Sequence, residues 1–228
     1  DEYSANNTPE FGIVKSVATG WSTDESIRSV GSSGGAISSI LIYAIEAGLV
    51  DAVIQTKSDD IDFFRGNLTV SRTRDHIISC AGSRYSPSSS LAGIQNVLSS
   101  NEKFAFVGKP CDVAALKSFL SDYPELKRKV IFTISFMCAG LPSQHASLKL
   151  LEKLRVKKQD VVSFKYRGDG WPGFTKASLK DGTVKKMSYN DSWGGILGRD
   201  ILNRCKICPD GTGQAADIVC ADAWYGKG

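Results

Sequence analysis

Residues 104–120, "FAFVGKPCDVAALKSFL", read together with residues 130–138, "VIFTISFMC", decide the fold. The first stretch opens on a short apolar run, turns at Gly-Lys-Pro, and continues with apolar residues at helical spacing. The second is a continuous apolar run whose length suits a buried strand. Strand, helix and strand in this order argue for a layered α/β fold with a largely parallel or mixed sheet. Each strand is followed at once by a cysteine, Cys111 and Cys138. In an open α/β sheet the carboxyl ends of the strands line the ligand crevice. If the two strands are neighbours, their thiols stand side by side there. Cys111 taken alone reads more readily as a small buried hydrophobe than as a functional thiol.

The same alternation extends outward. In residues 31–57, "GSSGGAISSILIYAIEAGLVDAVIQTK", Ile37, Ile40, Leu41, Ala44 and Ile45 follow the spacing of an amphipathic helix. Gly48 is placed to stop that helix, and "VDAVIQT" reads as a strand. "FFRGNLTVSR" holds a second strand, and Thr73 is placed to cap a short helix through "RDHIISCAG". "SRYSPSSS" reads as a polar loop, followed by a helix with Leu91, Ile94, Val97 and Leu98 on one face. "PSQHASLKLLEKLRV" reads as a helix with Pro142 near its start. From about residue 160 the pattern changes. "VVSFKYRGDGWPG" is a strand entering a glycine-rich loop, and "FTKASLKDGTVKKMSY" is a hairpin about Asp181-Gly182. The expected organisation is a leader at 1–20, an α/β core at 21–158, and a β-hairpin and cysteine-bearing part at 159–228, the last two as separate parts or as one continuous domain. The polar opening and the abrupt end at "ADAWYGKG" suggest flanking segments beyond this sequence.

With 228 residues, 42% apolar and 23% charged, the chain has the composition of an ordinary globular protein. A net charge of +4, dispersed along the chain, does not point to nucleic acid, and no apolar run approaches a membrane span. Six cysteines with one close pair do not resemble a secreted disulfide scaffold. No signal peptide opens the chain, so the expected location is cytoplasmic.

"RCKICPD" carries the sharpest local signal. Cys205 and Cys208 form a C-x-x-C pair, which reads as a zinc site, a redox disulfide or half of an iron–sulfur site. The redox-disulfide reading needs a preceding strand, and "GRDILN" supplies none. With Cys111 and Cys138 the pair makes four thiolates, the complement of a 4Fe–4S cluster or of a four-cysteine zinc site. Cys80 and Cys220 read as core or cluster-adjacent residues. "VGSSGG" opens a helix, either as a phosphate-binding turn or as a simple cap with glycines for close packing. "KYRGDGWPG" sets Arg167, Asp169 and Trp171 among glycines, as a ligand-contacting loop or a solvated turn. His76 and His145 lie outside any metal-ligand spacing and are expected on helix surfaces. No G-x-S-x-G or H-E-x-x-H pattern supports a hydrolase.

Taken in order, "GSSGG", "AGSRYSPSSSL", "FVGKPCDVAALK", "CAGLPS", "YRGDGWPG", "SWG", "RCKICPD" and "ADIVCADAW" resemble the coenzyme F420 hydrogenase/dehydrogenase β-subunit family. The resemblance runs from about Gly20 to Trp224. It implies an iron–sulfur flavoprotein oxidoreductase with FAD beside a 4Fe–4S cluster and a two-electron substrate such as reduced F420. It places cluster ligation on Cys111, Cys138, Cys205 and Cys208. Ser32, Ser33, Gly34 and Gly35 become candidate FAD contacts, joined by Ser83, Arg84, Tyr85, Lys109, Arg167 and Trp171. Lys109 is the candidate catalytic cation. Longer members carry a ferredoxin-like N-terminal segment that this sequence lacks, so a second cluster would need Cys80, Cys220 or a partner. A homo-oligomer or a subunit of a redox complex is expected. The rival readings are a pure electron-transfer subunit and a non-redox binding protein stabilised by zinc on four cysteines.

Overall fold

The computed structural model describes residues 7–8, 11–59, 61–168, 170 and 172–223. A two-residue ribbon comes first, β1 (Asn7–Thr8) against β2 (Gly12–Ile13). Helices α1 (Glu25–Val30) and α2 (Ala36–Glu46) lead into β3 (Ala52–Ser58) and β4 (Gly66–Ser71). Next are α3 (Arg74–Ser79), the short β5 (Ser88–Ser89) and α4 (Ile94–Leu98). The crossover unit is β6 (Phe104–Val107), α5 (Pro110–Ser121), α6 (Pro124–Lys127) and β7 (Val130–Phe136). Then come α7 (Gln144–Lys153), β8 (Val161–Lys165), β9 (Phe174–Leu179) and β10 (Val184–Ser188). Finally α8 (Asn203–Lys206) precedes β11 (Ile218–Cys220).

The main sheet has six strands in the order β11-β7-β6-β3-β4-β5, and every pairing except β3 with β4 is parallel. This is the α/β class expected from the strand–helix alternation, a mixed and largely parallel sheet with flanking helices. The carboxyl ends of β3, β6, β7 and β11 therefore share one edge. Alternation along the strands sorts the core onto two faces. Ala52, Ile54, Phe104 and Phe106 pack with α4 and α5, while Val53, Ala105 and Ile134 pack with α1, α2 and α3. The second sheet, β8-β9-β10, is antiparallel and buries Val161 and Ala177 against Leu150, Leu151 and Leu154 of the α7 region. Helix caps are the expected ones: Thr73 accepts from the His76 amide, and Gly48 closes α2 at φ +67°. His76 and His145 are exposed, both on helices.

Two segments add to the sequence reading. "SRYSPSSS" is not wholly loop, because Ser88 and Ser89 pair with Gly66 and Asn67 as the edge strand β5. A strand made of serines carries no apolar alternation, so its backbone pairing leaves no trace in the pattern. "IVCADAW" supplies β11, which joins the main sheet beside β7. The cysteine-bearing region beyond residue 159 thus contributes to both sheets.

Asp217 anchors β11. Its Oδ2 accepts from the Thr133 amide and hydroxyl, each at 2.7 Å, and its Oδ1 accepts from Lys117 Nζ at 3.0 Å. Burial pushes the Asp217 carboxyl up, but the bonds from Thr133 and Lys117 outweigh it and leave the carboxyl below its ordinary 3.8. Asp217→Ala should cost about 1–2 kcal/mol, read as a lower urea midpoint, because it strands the buried Thr133 amide. A depressed carboxyl stabilises above its unfolded pKa and loses that contribution as pH falls through the folded one. The wild-type advantage over Asp217→Ala should accordingly be full at neutral pH and fade below about pH 4.

Gly108 ends β6 where space is short. A Cβ there would lie 2.7 Å from the Phe106 ring and 2.8 Å from Asp112 Cβ. Gly108→Ala should destabilise by about 1–3 kcal/mol through overpacking, measurable by the same denaturation.

Candidate functional site

Four cysteines from three chain segments line one cavity of about 190 Å³ at the carboxyl edge of the sheet. Cys111 is in the first turn of α5, after β6, and Cys138 follows β7. Parallel pairing of β6 with β7 makes these two neighbours. Cys205 lies in α8, and Cys208 just beyond it. Backbone contacts hold the C-x-x-C segment against the loop after β7. The Cys138 amide donates to Gly211 O at 2.8 Å, the Leu202 amide to Leu141 O at 2.9 Å, and the Ser143 amide to Asp200 O at 2.8 Å. The Leu141 amide donates to Cys205 Sγ at 3.4 Å. Asp210 shapes the turn after Cys208, its Oδ1 accepting from the Gly213 amide at 2.7 Å.

Burial raises the thiol pKa of both Cys111 and Cys138. Asp112 adds to the rise at Cys111, where Lys109 and Arg204 oppose it, and the Gly140 amide opposes it at Cys138. Among the described residues, no three His, Cys, Asp or Glu side chains converge closely enough for a single ion. Four sulfurs on one zinc at ~2.3 Å would stand roughly 3.8 Å apart. The four cysteines are instead spread around the cavity wall rather than gathered about one point.

A second cavity of about 500 Å³ lies against the first, within the usual range of small-molecule sites. Of the residues expected at the flavin, Ser32, Ser33, Ser83, Arg84, Tyr85, Lys109 and Arg167 line it. Ser32 and Ser83 share a hydrogen bond at 2.7 Å, and Arg84 Nη1 donates to Cys80 O at 2.7 Å. Gly34 and Gly35 are not on its wall. They carry the left-handed turn into α2, at φ +70° and +74°, and pack against Trp21 and Ile27. Asp169 and Trp171 lie outside the described residues. Cys80 and Cys220, expected in the core or beside a cluster, are both on the wall of this cavity.

Lys109, Cys138, Ala139, Gly140 and Leu141 border both cavities. Lys109 is 7% exposed. Its ammonium donates to Asp112 Oδ2 at 2.5 Å, Ser88 Oγ at 3.1 Å and Ser90 Oγ at 3.3 Å. An ammonium has three N–H donors, so all three have protein partners here. Lys109 is a fixed charge in the partition between the cavities.

Sequence reading assigned no role to several other wall residues. Gln55 and Thr56 face the cavity from β3, and Asp222 reaches it from beyond β11. Tyr189 and Trp193 supply an aromatic side, Trp193 lying 4.6 Å from Tyr85 between ring centroids. Trp193 sits in a π-helical turn, Asn190–Gly194, a local geometry frequent at functional sites. Aromatics within the glycine-rich "YNDSWGG" were the available signal.

Residues 17–95 match the N-terminal part, and residues 101–228 the C-terminal part, of the family described as coenzyme F420 hydrogenase/dehydrogenase, beta subunit. The F420-dependent formate dehydrogenase 1 subunit beta of Methanococcus maripaludis is 24% identical over 88% of this chain and 50% of its own length. The coenzyme F420 hydrogenase subunit beta of Methanococcus voltae is 26% identical over 91% of this chain and 72% of its own. The chloroplastic 7-hydroxymethyl chlorophyll a reductase of Oryza sativa is 26% identical over 81% of this chain and 38% of its own. The chain thus spans about half the length of the formate dehydrogenase subunit. A chain in the structure of the F420-reducing [NiFe] hydrogenase complex from Methanosarcina barkeri shares the fold, with a TM-score of 0.66. Its identity is 22%, over 86% of this chain and 66% of that one. Among the described residues no helix is long and apolar enough to cross a membrane. On the match to both parts of the family, this chain belongs to the coenzyme F420 hydrogenase/dehydrogenase beta-subunit family.

Proposed function

We propose that the chain is an iron–sulfur flavoprotein oxidoreductase, passing electrons between a 4Fe–4S cluster, FAD and a two-electron substrate such as reduced F420. The observation that carries this reading is the shared wall: a four-cysteine cavity and a ligand-sized cavity are both bordered by Lys109, Cys138, Ala139, Gly140 and Leu141. When bound, an iron–sulfur cluster supplies single electrons and a flavin exchanges electron pairs, as hydride, with a substrate. Cys111, Cys138, Cys205 and Cys208 would hold the cluster. Ser32, Ser33, Ser83, Arg84, Tyr85 and Arg167 would hold the flavin, with the aromatic side of Tyr85, Tyr189 and Trp193 to stack on planar rings.

The chain's own residues have defined tasks in this arrangement. The Gly140 amide lies beside the Cys138 sulfur, and the Leu141 amide donates to that of Cys205. Donors of this kind tune the potential of a sulfur-bound cluster. The Asp112 carboxylate holds the Lys109 ammonium in the partition as a buried ion pair. Ser88 and Ser90 fix its direction, so the charge needs no reorganisation when electrons arrive. Leu141, buried and on the wall of both cavities, brings apolar surface to the partition. The relatives named as beta subunits support a place for this chain within a larger redox assembly.

Anaerobic purification, with a visible spectrum and iron and flavin quantitation, tests the reading. Titration with reduced F420 and with NADPH then tests the substrate. Bound iron and flavin with bleaching on titration are expected; a colourless protein containing zinc would overturn the reading. Replacing any one of Cys111, Cys138, Cys205 or Cys208 with serine should remove most of the iron, whereas Cys80→Ser should retain it. Lys109→Ala should slow flavin reduction while iron content stays near wild type, as stopped-flow absorbance would record. Unaltered reduction kinetics and flavin affinity would exclude a role for Lys109.

A further inference from the structure

Asp222, just beyond β11, joins three regions that meet at the larger cavity. Arg167, from the loop after β8, donates through Nη1 to Asp222 Oδ2 at 2.9 Å and through Nη2 to Oδ1 at 3.4 Å. Ser33, at the entry to α2, donates through Oγ to the same Oδ1 at 2.6 Å. Arg167 is held further by its Nε, which donates to Pro172 O at 2.7 Å. Its guanidinium lies 5.2 Å from the centre of the Tyr189 ring. Ser33, Arg167, Tyr189 and Asp222 all line the cavity.

Two features separate this link from ordinary packing. The Arg167 and Asp222 side chains are 7% and 14% exposed, so their charges are largely withdrawn from water. A buried ion pair seldom out-stabilises apolar residues of the same shape, which makes it a poor choice for packing alone. Ser33 is also one of two described non-glycine residues with positive φ, at +52°, a conformation that persists where its surroundings enforce it. Backbone bonds from the Ser22 amide to Gly34 O and from the Gly35 amide to Ser32 O hold this turn, and the Asp222 carboxylate adds a side-chain hold through the Ser33 hydroxyl.

We propose that Asp222 is a positioning residue of the ligand site. It locks the Arg167 guanidinium and the Ser33 hydroxyl into one arrangement, and that arrangement sets the cavity's affinity for its flavin. Asp222 acts through these two partners rather than on the ligand. The identity of the ligand rests on the flavin reading above; the coupling of the three segments does not.

The test uses the full chain, with FAD as the probe and two variants. Asp222→Asn removes the charge, and Arg167→Met/Asp222→Leu removes the whole pair and avoids a stranded buried cation. Fluorescence titration should show FAD binding weakened by roughly tenfold or more in both, the scale on which supporting residues tune a site. Iron content should stay at the wild-type level. The double variant should regain the thermal midpoint that Asp222→Asn loses, yet bind FAD no better. Hydrogen exchange without added flavin should quicken together at residues 31–36 and 165–168 in both variants. Wild-type FAD affinity in the double variant would overturn the proposal, as would faster exchange confined to residues 220–223. If the wild-type chain binds no FAD, the flavin reading fails and the exchange result alone decides the coupling. Exchange shared by the two distant segments then supports it, and its confinement overturns it.

Discussion

Parallel pairing of β6 with β7 is the constraint from which the rest follows. Parallel neighbours must be joined by a crossover that leaves and re-enters the sheet at opposite ends, and here α5 and α6 supply it. Both carboxyl ends therefore open on one edge, and the residues just after each strand become neighbours. Phe104 and Phe106 face α5 while Ala105 faces the opposite layer, so shifting the strand by one residue would force the largest side chains of the core into the layer that fits around Ala105. The packing that holds the register also holds Cys111 and Cys138 at a common edge.

A second set of backbone contacts brings in the distant cysteines. The segment from Asp200 to Gly211 lies against the loop from Cys138 to Ser143 through amide–carbonyl bonds. Backbone pairing is indifferent to side-chain identity, which leaves the cysteine sulfurs free to face the cavity between them. Asp217 then returns the chain to the sheet, and β11 closes the edge beside β7. The same return sets Cys220 and Asp222 on the wall of the larger cavity. One C-terminal excursion thus completes both cavities.

The partition between the cavities is narrow because it is built from consecutive residues. Loops after two adjacent strands, Val107 to Cys111 and Met137 to Leu141, have one side toward the cysteines and the other toward the larger space. Lys109 is buried there at the cost of desolvation, offset by Asp112 and two serine hydroxyls. Membership of the F420 hydrogenase/dehydrogenase beta-subunit family places this architecture among relatives named for redox enzymes.

Local pattern was enough for much of this protein. The apolar spacing of α2, the Thr73 cap, the Asp181-Gly182 hairpin and the strand–helix–strand unit are short-range features, and each is legible in a window of a dozen residues. Placing cysteines after two strands needed the one added rule that parallel strands open on a common edge. What lay beyond local reading has a common cause: it depends on pairing between segments far apart in the chain. The serine strand β5 and the three-residue β11 have no periodicity of their own and exist through their neighbours. Gly34 and Gly35 announced a turn, but only the positions of Trp21 and Ile27 decided that they face the protein body and not the cavity. The joining of Arg167 to Asp222 and Ser33, and of Lys109 to Ser88 and Ser90, likewise waited on tertiary structure. By itself the sequence determined the layered α/β class and the family. Tertiary structure alone decided which side chains share a wall, because a wall is made by strand order, and strand order is set by packing between elements rather than within them.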